Sequence, residues 1–290
     1  MISDSTVARL RSLAELPDLT ATPYTIVREI ARGGKAVVYE ARDARLYRIV
    51  ALKVLALELS SADGARRMRD EARTIARLEH PGIIPIHDIG ELPDGRVFYT
   101  MKLVRGTTLR EFATDRGRAE LLRIFLRICD AVGFAHASGV VHRDLKPENI
   151  MIGGFGEAMV MDWGVAASIH AVGDIAGTRG FMAPEQLRGE PADQRSDIFA
   201  LGAILAGISP EKPLRAIASK ARAADAAQRY VTAGELAADV ARYLDGQPVG
   251  AYRENVFERA ERWIRRNIAI VAIVAAYVVM RVIVFLWIHR

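Results

Sequence analysis

The chain has 290 residues, of which 51% are hydrophobic and 26% charged, and this balance excludes a chain that is disordered throughout. Its formal net charge of +5 fits an anionic partner surface, but no nucleic-acid-binding module is visible, so we expect no nucleic-acid partner. The single cysteine, Cys129, excludes an internal disulfide framework and favours a reducing compartment.

The first predicted elements follow an N-terminal extension, residues 1–23, which lacks the apolar run of a secretory signal. Residues 48–55 alternate like a β-strand from which Lys53 emerges. Residues 66–78 have helical periodicity and carry Glu71. Basic residues dominate this helix, so a solvated charged face is the alternative interpretation of Glu71.

The segment HRDLKPEN at 142–149 and the triplet DWG at 162–164 are the most informative part of the sequence. Their polar side chains suit phosphoryl transfer, because its transition state is stabilised mainly by positioning and charge. An aspartate can accept the proton of a hydroxyl nucleophile, and a lysine can neutralise a phosphate. An asparagine and a second aspartate can bind a divalent metal. In that order these residues are Asp144, Lys146, Asn149 and Asp162.

These two motifs resemble the catalytic and metal-binding loops of protein kinases, with Trp163 where phenylalanine is usual. The resemblance is closest to bacterial Ser/Thr kinases of the Hanks type. It implies an α+β, bilobal protein kinase fold, with a β-rich N-lobe at 24–104 and an α-helical C-lobe at 105–249. It also implies ATP and Mg²⁺ as cofactors, with Mn²⁺ as an alternative metal, and protein substrates that carry Ser or Thr.

The resemblance assigns roles to further residues. Lys53 would hold the α- and β-phosphates and pair with Glu71, and Thr178 would lie beside the catalytic Asp144. Met101 would be the gatekeeper before a hinge at 102–104. The positions implied for nucleotide binding are Ala31, Gly33, Gly34, Val38, Ala51, Lys53, Met101, Lys102, Val104 and Met151.

The phosphate-covering loop departs from the family pattern G-x-G-x-x-G-x-V. Ala31 and Ala36 replace its first and third glycines, while Gly33 stands with Gly34 beside it. Glycine reaches φ > 0 without steric penalty, so the alanines should restrict the loop unless their φ stays negative. This departure leaves a catalytically weak or inactive pseudokinase, acting as a membrane-anchored scaffold, as the alternative to an active kinase.

The C-lobe departs from the family pattern as well. Only 31 residues separate Asp197 from Arg229, the arginine expected to pair with Glu185. A helix that docks protein substrates would be missing or vestigial, which also supports the pseudokinase alternative. A kinase for a small molecule is a third candidate, since the loss of protein docking would affect it less. In the activation segment, Ser168 after phosphorylation, or Asp174 permanently, would supply an anion to Arg143.

Residues 268–288 form a run of 21 residues that is apolar except for Arg281. At about 1.5 Å per residue such a helix is about 31 Å long, enough to cross the hydrocarbon core of a bilayer. We expect Arg281 to reach outward to the lipid interface, although a partner helix with an acidic residue is the alternative. Basic residues are more numerous before the run than after it: Arg262, Arg265 and Arg266 against Arg290.

This charge bias predicts a single-pass protein of the inner, or cytoplasmic, membrane with its kinase domain in the cytoplasm. Membrane anchoring would also favour a homodimer. The preceding segment, 250–267, is basic and places apolar residues on one helical face, which predicts a helix at the membrane interface. Continuation of the membrane helix into the cytoplasm is the alternative.

Overall fold

The computed structural model describes residues 16–59, 61–163, 167–168 and 180–288. Alternating side chains and β-branched residues build a five-stranded antiparallel sheet in the order β1-β2-β3-β5-β4. Large side chains on one face of the sheet form a core of their own, whereas the other face packs on a helix. The strands are β1 (Tyr24–Arg32), β2 (Ala36–Asp43), β3 (Arg48–Leu55), β4 (Ile86–Glu91) and β5 (Val97–Lys102).

The helix that packs on the sheet is α1 (Ala62–Ala76). It begins after Ser61, whose side-chain oxygen accepts the Gly64 N–H at 3.2 Å and satisfies one of the free donors of the first turn. Apolar residues at helical spacing, among them Met68 and Ala72, bury one face of α1 against β3 and β5. This packing brings a residue of α1 next to the strand that carries Lys53.

The rest of the described chain up to residue 249 is mostly helical. In the C-lobe, the helix Gln194–Ile208 and the next helix, Lys212–Ala221, approach each other closely. A Cβ added at Gly202 would lie 2.6 Å from the Ala221 Cβ, so only glycine permits this approach. The helices are α2 (Leu109–Phe112), α3 (Arg118–Ala137), α4 (Pro184–Leu187), α5 (Gln194–Ile208), α6 (Lys212–Ala221) and α7 (Ala233–Leu244).

Short strands border the segment between α3 and α4. A three-stranded sheet in the order β6-β8-β9 holds the backbone directly after the HRDLKPEN loop, and β7, directly before the loop, pairs with β10. The Met161 N–H also donates to the Asn149 carbonyl at 2.8 Å, which ties the end of this loop to the DWG triplet. The strands are β6 (Gly106–Thr108), β7 (Val140–Val141), β8 (Ile150–Gly153), β9 (Ala158–Val160) and β10 (Ala167–Ser168).

After α7 the chain is held by hydrogen bonds to Asp239, an arrangement that we call the clasp. Asp239 is 2% exposed. Its carboxylate accepts the Gly250 and Ala251 N–H groups at 3.0 and 3.1 Å. The Tyr230 hydroxyl donates to the same carboxylate at 2.8 Å, and Arg242 forms an ion pair with it at 2.9 Å. The clasp fixes where the chain departs from the C-lobe.

Two further helices follow, α8 (Val256–Arg266) and α9 (Ile268–Ile288). Asn267 separates them, because its φ of −118° and ψ of 33° lie outside the helical range. The span Ile268–Trp287 of α9 has a mean hydropathy of 2.7 and is not buried against the rest of the protein. The structure therefore contains a helix long and apolar enough to cross a membrane, preceded by a separate helix at 256–266.

Candidate active site

The strand β3 places Lys53 between two carboxylates. Its Nζ lies 2.8 Å from Glu71 Oε1 on α1 and 3.0 Å from Asp162 Oδ1. The Lys53 and Glu71 side chains are only 14% and 10% exposed. Burial alone would lower the pKa of Lys53, but the surrounding acidic groups outweigh it and hold the pKa well above its ordinary value. Lys53 is therefore a permanent cation at the centre of the site.

Tyr99 completes this cluster, and the sequence patterns did not single it out. Its hydroxyl donates to Glu71 Oε1 at 2.8 Å, and Lys53 Nζ lies 5.4 Å from its ring centroid. The register of β3 against β5 pairs Lys53 with Tyr99 directly. One sequence feature could have indicated Tyr99: it is a tyrosine in an otherwise apolar strand, and a buried hydroxyl needs a polar partner.

Asp162 and Trp163 have an unusual local backbone. Asp162 has a φ of +58°, a left-handed conformation that is rare for a residue other than glycine. Trp163 is 1% exposed, and its Nε1 donates to the Val160 carbonyl at 3.3 Å. Its ring also packs on His142 at a centroid distance of 4.6 Å. The buried indole thus fixes the turn that holds the Asp162 carboxylate near Lys53.

The HRDLKPEN loop places Asp144, Lys146 and Asn149 together. Lys146 Nζ lies 2.9 Å from Asp144 Oδ2. Asn149 Nδ2 donates to the Asp144 carbonyl at 2.8 Å, so the amide holds the loop in its folded form. The three residues predicted from the motif therefore meet at one point of the C-lobe.

The Asp197 carboxylate, on α5, holds the backbone of this loop through hydrogen bonds. It is 1% exposed and accepts the His142 and Arg143 N–H groups at 2.8 Å each, as well as His136 Nε2 at 2.8 Å. Burial would raise the pKa of Asp197, but these hydrogen bonds outweigh it and lower the pKa. An ionised carboxylate thus holds the loop backbone, including Arg143 with its φ of +70°.

Asn149 and Asp162 have the donor chemistry for a divalent metal. Asp162 has a half-exposed carboxylate whose pKa is lowered by Lys53 although burial opposes it. Asn149 uses its amide nitrogen within the loop, which leaves its oxygen for a ligand. Mg²⁺ is bound by few protein oxygens together with water and substrate phosphates. One carboxylate and one amide, beside a lysine that suits phosphate, fit this pattern.

Several of the predicted nucleotide-binding residues lie opposite one another, or opposite Lys53, on neighbouring strands of the sheet. Ala31 pairs with Val38, Val38 with Lys53, and Ala51 with Met101. Val104 is buried, and Met101 and Met151 pack against one common core cluster. Gly33 and Gly34, between β1 and β2, and Lys102, at the end of β5, are at least partly exposed.

The alanines of the phosphate-covering loop lie in β1 and β2, Ala31 directly after a register shift between these strands. Ala36 pairs with Leu55, just as Ala31 pairs with Val38, and neither has a positive φ. Nothing in this backbone requires glycine at either position. The restriction expected from these alanines therefore does not arise in this conformation of the loop.

Glu185 and Arg229 form the ion pair expected between the activation segment and the C-lobe. Arg229 donates to both Glu185 oxygens, at 2.6 and 2.8 Å, and Ser196 Oγ donates at 2.8 Å. Thr178 and Asp174, which were predicted to lie near the catalytic loop, fall outside the described residues. Ser168 lies on β10, opposite Val140.

Comparisons with known proteins agree with this geometry. A family model described as the protein kinase domain matches residues 24–242. The serine/threonine-protein kinase PknD of Mycobacterium tuberculosis is 40% identical over 192 residues, which cover 63% of this chain and 29% of PknD. PknB from the same species is 34% identical over 292 residues, covering 85% of this chain and 46% of PknB.

Solved structures show the same likeness. The PknI kinase domain of Mycobacterium tuberculosis has a TM-score of 0.61 and 27% identity, and the match covers 77% of this chain and 96% of that one. The predicted bilobal fold, with a sheet-rich first lobe and a helical second lobe, is thereby confirmed. The chain spans less than half the length of the curated relatives PknD and PknB that it matches.

Proposed function

The chain belongs to the protein kinase family, and on that premise we propose that it is an ATP-dependent protein serine/threonine kinase that acts in signalling. The observation that carries the proposal is the placement of Lys53 within 2.8 Å of Glu71 and 3.0 Å of Asp162. A second group, Asp144, Lys146 and Asn149, is held together on the catalytic loop.

In the proposed reaction, the oxygen of a Ser or Thr hydroxyl attacks the γ-phosphorus of ATP, and the bond to the departing ADP oxygen breaks. Asp144 accepts the proton of that hydroxyl. Lys146, 2.9 Å from Asp144, neutralises charge on the transferred group. Lys53, kept in place by Glu71, holds the α- and β-phosphates. The remaining nucleotide contacts are proposed for the loop at 31–38, Ala51, Met101 to Val104 and Met151.

Asn149 and Asp162 would hold the divalent metal, which would neutralise phosphate charge when bound. This assignment rests on their two oxygen donors and on the lowered pKa of Asp162, which keeps that carboxylate ionised at neutral pH. Thr178 is proposed beside Asp144 on the family resemblance.

A pseudokinase scaffold is the alternative function. Its support is the replacement of two glycines and the short C-lobe, but Ala31 and Ala36 lie in strands and have negative φ. The charged residues that the chemistry needs lie within hydrogen-bonding distance of one another. Both observations favour an active enzyme.

We also propose that α9 crosses the cytoplasmic membrane once and that the kinase lies on its cytoplasmic side. Support comes from the mean hydropathy of 2.7 over Ile268–Trp287 and from the arginines that precede it. Anchoring would concentrate the enzyme beside membrane-associated protein substrates. It would also raise the local concentration of two copies, which favours a homodimer and phosphorylation of one copy by the other.

The test is transfer of radiolabelled phosphate from ATP by the full-length chain in detergent micelles, with a general protein substrate. We expect labelling by the wild type and by Asp115→Asn, an exposed aspartate outside the site, and none by Asp144→Asn. ATP binding without transfer to any acceptor would support the scaffold. Transfer to a small molecule but to no protein would support the third candidate, a small-molecule kinase.

A further inference from the structure

The polar side of α8 contacts Lys212 of the C-lobe and the segment that directly precedes the helix. The Glu258 carboxylate accepts the Tyr252 hydroxyl at 2.8 Å and pairs with Lys212 of α6 at 3.3 Å. Arg262, one turn further along the same side, donates to Glu254 at 2.7 to 3.0 Å. The Glu258 and Arg262 side chains are only 27% and 24% exposed. This side of α8 therefore faces protein.

The apolar side of α8 faces away from the protein. Val256 and Phe257 are 77% and 86% exposed, and Trp263 and Ile264 are 57% and 44% exposed. Together with Ala260 these residues follow a helical spacing of three and four and form one face. An amphipathic helix of a soluble domain buries such a face on the core. Here the orientation is reversed, so the apolar face needs another partner.

The charge beside this apolar face is positive. Arg259 and Arg266 are exposed and lie four and three residues from Trp263, so they border the face on one side. A helix with an apolar face, a tryptophan and adjacent arginines is suited to a surface of anionic headgroups above hydrocarbon. A protein groove would not require this positive border.

The position of α8 in the chain indicates the same partner. The apolar helix α9 begins one residue after α8 ends, and Asn267 interrupts the helical path between them. The Asn267 N–H still donates to the Trp263 and Ile264 carbonyls, so the two helices are separated by one residue outside the helical range and not by a loop. One helix can thus cross the membrane while the other lies on its surface.

We propose that α8 lies flat on the cytoplasmic leaflet, with Val256, Phe257, Trp263 and Ile264 in the interface and Arg259 and Arg266 on anionic phospholipid headgroups. Because Glu258 on the opposite side pairs with Lys212 of the C-lobe, the docked helix fixes the orientation of the C-lobe to the bilayer. The proposal rests on the proposed membrane crossing of α9, and the test must separate the two.

The test uses tryptophan fluorescence of the full-length chain in vesicles. The chain has three tryptophans, and Trp163 is buried at 1% exposure. The variant Trp287→Phe leaves Trp263 as the reporter of α8, and Trp263→Phe leaves Trp287 as the reporter of α9. Each is reconstituted in phosphatidylcholine, with and without phosphatidylglycerol, and the lipid carries bromine near the headgroup end of its acyl chains.

In anionic vesicles we expect brominated lipid to quench the Trp263 emission and to leave that of the buried Trp163 unchanged, because the Trp263 ring lies at headgroup level. Replacing both Arg259 and Arg266 by Gln should lower the ratio of docked to undocked helix roughly 25-fold, since each arginine near an anionic surface contributes about a fivefold factor. The control Arg123→Gln, an exposed arginine on α3, should change nothing. Added salt should weaken docking, because it screens exposed charges.

Three outcomes would overturn the proposal. Trp263 that stays unquenched while Trp287, at the far end of the proposed span, is quenched by the same lipid would refute docking of α8 and leave the membrane crossing intact. A blue-shifted Trp263 emission that lipid does not quench would place the face against protein, such as a second copy. Quenching that is equal in neutral and anionic vesicles would refute the recognition of anionic lipid. If Trp287 is not quenched either, the membrane crossing itself fails.

Discussion

The Tyr99 hydroxyl donates a 2.8 Å hydrogen bond to Glu71 Oε1, the same atom that pairs with the lysine of β3. Burial raises the pKa of Tyr99, so the hydroxyl keeps its proton at every working pH and always acts as the donor. The bond joins β5 to α1 and limits the positions that Glu71 can take. Tyr99 is thus a positioning residue for the Lys53–Glu71 pair.

Removing this hydroxyl should impair the use of ATP. Tyr99→Phe is expected to lower kcat/KM for ATP by roughly tenfold, the effect of one hydrogen bond to a charged group. Tyr24→Phe is the matched control, because Tyr24 also donates to a carboxylate, Asp88, at 2.8 Å but lies in the other core of the sheet. Steady-state kinetics and thermal melting of both variants decide the question. Equal kinetic losses would show that Tyr99 has only a structural role.

The cation at the centre of the site is expected to be indispensable. Lys53→Met should reduce phosphoryl transfer by roughly a hundredfold or more, because the phosphates lose a positive partner and Glu71 is left buried without it. Glu71→Gln should act through the same pair, so the double variant should be little worse than Lys53→Met alone. Lys220→Met, on the exposed end of α6, is the control. Unchanged activity of Lys53→Met would refute the proposed nucleotide site.

Restoring glycines to the phosphate-covering loop should not improve nucleotide binding. Ala31→Gly with Ala36→Gly should leave the Kd for ATP unchanged within about twofold, and each should cost about 0.5–1 kcal/mol of stability as a glycine in a strand. Ala41→Gly, in the same strand as Ala36, is the control for stability alone. Titration with a fluorescent ATP analogue gives the Kd, and a clear tightening would show that the alanines stiffen the loop in solution.

The Glu185–Arg229 pair should make stability depend on acid pH. Burial alone would raise the pKa of Glu185, but hydrogen bonds from Arg229 and Ser196 outweigh it and lower the pKa below 4.5. Because the folded pKa is lowered, this stabilisation is complete above 4.5 and is lost as the pH falls through the folded pKa.

The variant Glu185→Gln should therefore lose about 3 kcal/mol at neutral pH, as expected when one partner of a buried pair is removed. The deficit should shrink below pH 4.5, where the wild type becomes protonated as well. Glu190→Gln, in an exposed ion pair, should melt like the wild type. Thermal midpoints in detergent across this pH range are the measurement. A deficit that does not change with pH would refute the assigned pKa shift.

Deletion of residues 268–290 should release the protein from integral attachment without unfolding it, because α9 is not buried against either lobe. The full-length chain should resist extraction of membranes by alkaline carbonate, whereas the truncated chain should be extracted and keep its kinase activity. A full-length chain that carbonate removes would not be an integral membrane protein. Aggregation of the truncated chain would show that the segment belongs to the fold.

Much of the site could be predicted from the sequence, because its chemistry is carried by motifs with fixed local spacing. The HRDLKPEN loop and the DWG triplet identified Asp144, Asn149 and Asp162 directly. The partner of Lys53 could be found only through the family resemblance, since helical periodicity alone did not distinguish Glu71 from a residue on a solvated face.

Other features depend on contacts between distant residues and could not be read from local patterns. Tyr99 resembles any core residue of an apolar strand, and only the packing of α1 on the sheet brings Glu71 to its hydroxyl. The left-handed backbone of Asp162 could not be predicted, because aspartate favours that conformation only moderately and neither neighbour is a turn-forming residue. The reversed orientation of α8 likewise follows from ion pairs with residues outside the helix.

The clasp on Asp239 has a consequence for which substrates the enzyme can meet. The chain is fixed at Gly250 by the clasp and again at Glu258 by Tyr252 and Lys212, so few residues between the C-lobe and the proposed membrane span are left without attachment. A kinase on a long flexible linker can reach substrates at many distances from the membrane. In this protein, the proposed catalytic aspartate, Asp144, should stay within a narrow range of distances from the lipid headgroups. Hydroxyl groups within that range would be phosphorylated, and those farther into the cytoplasm would remain out of reach.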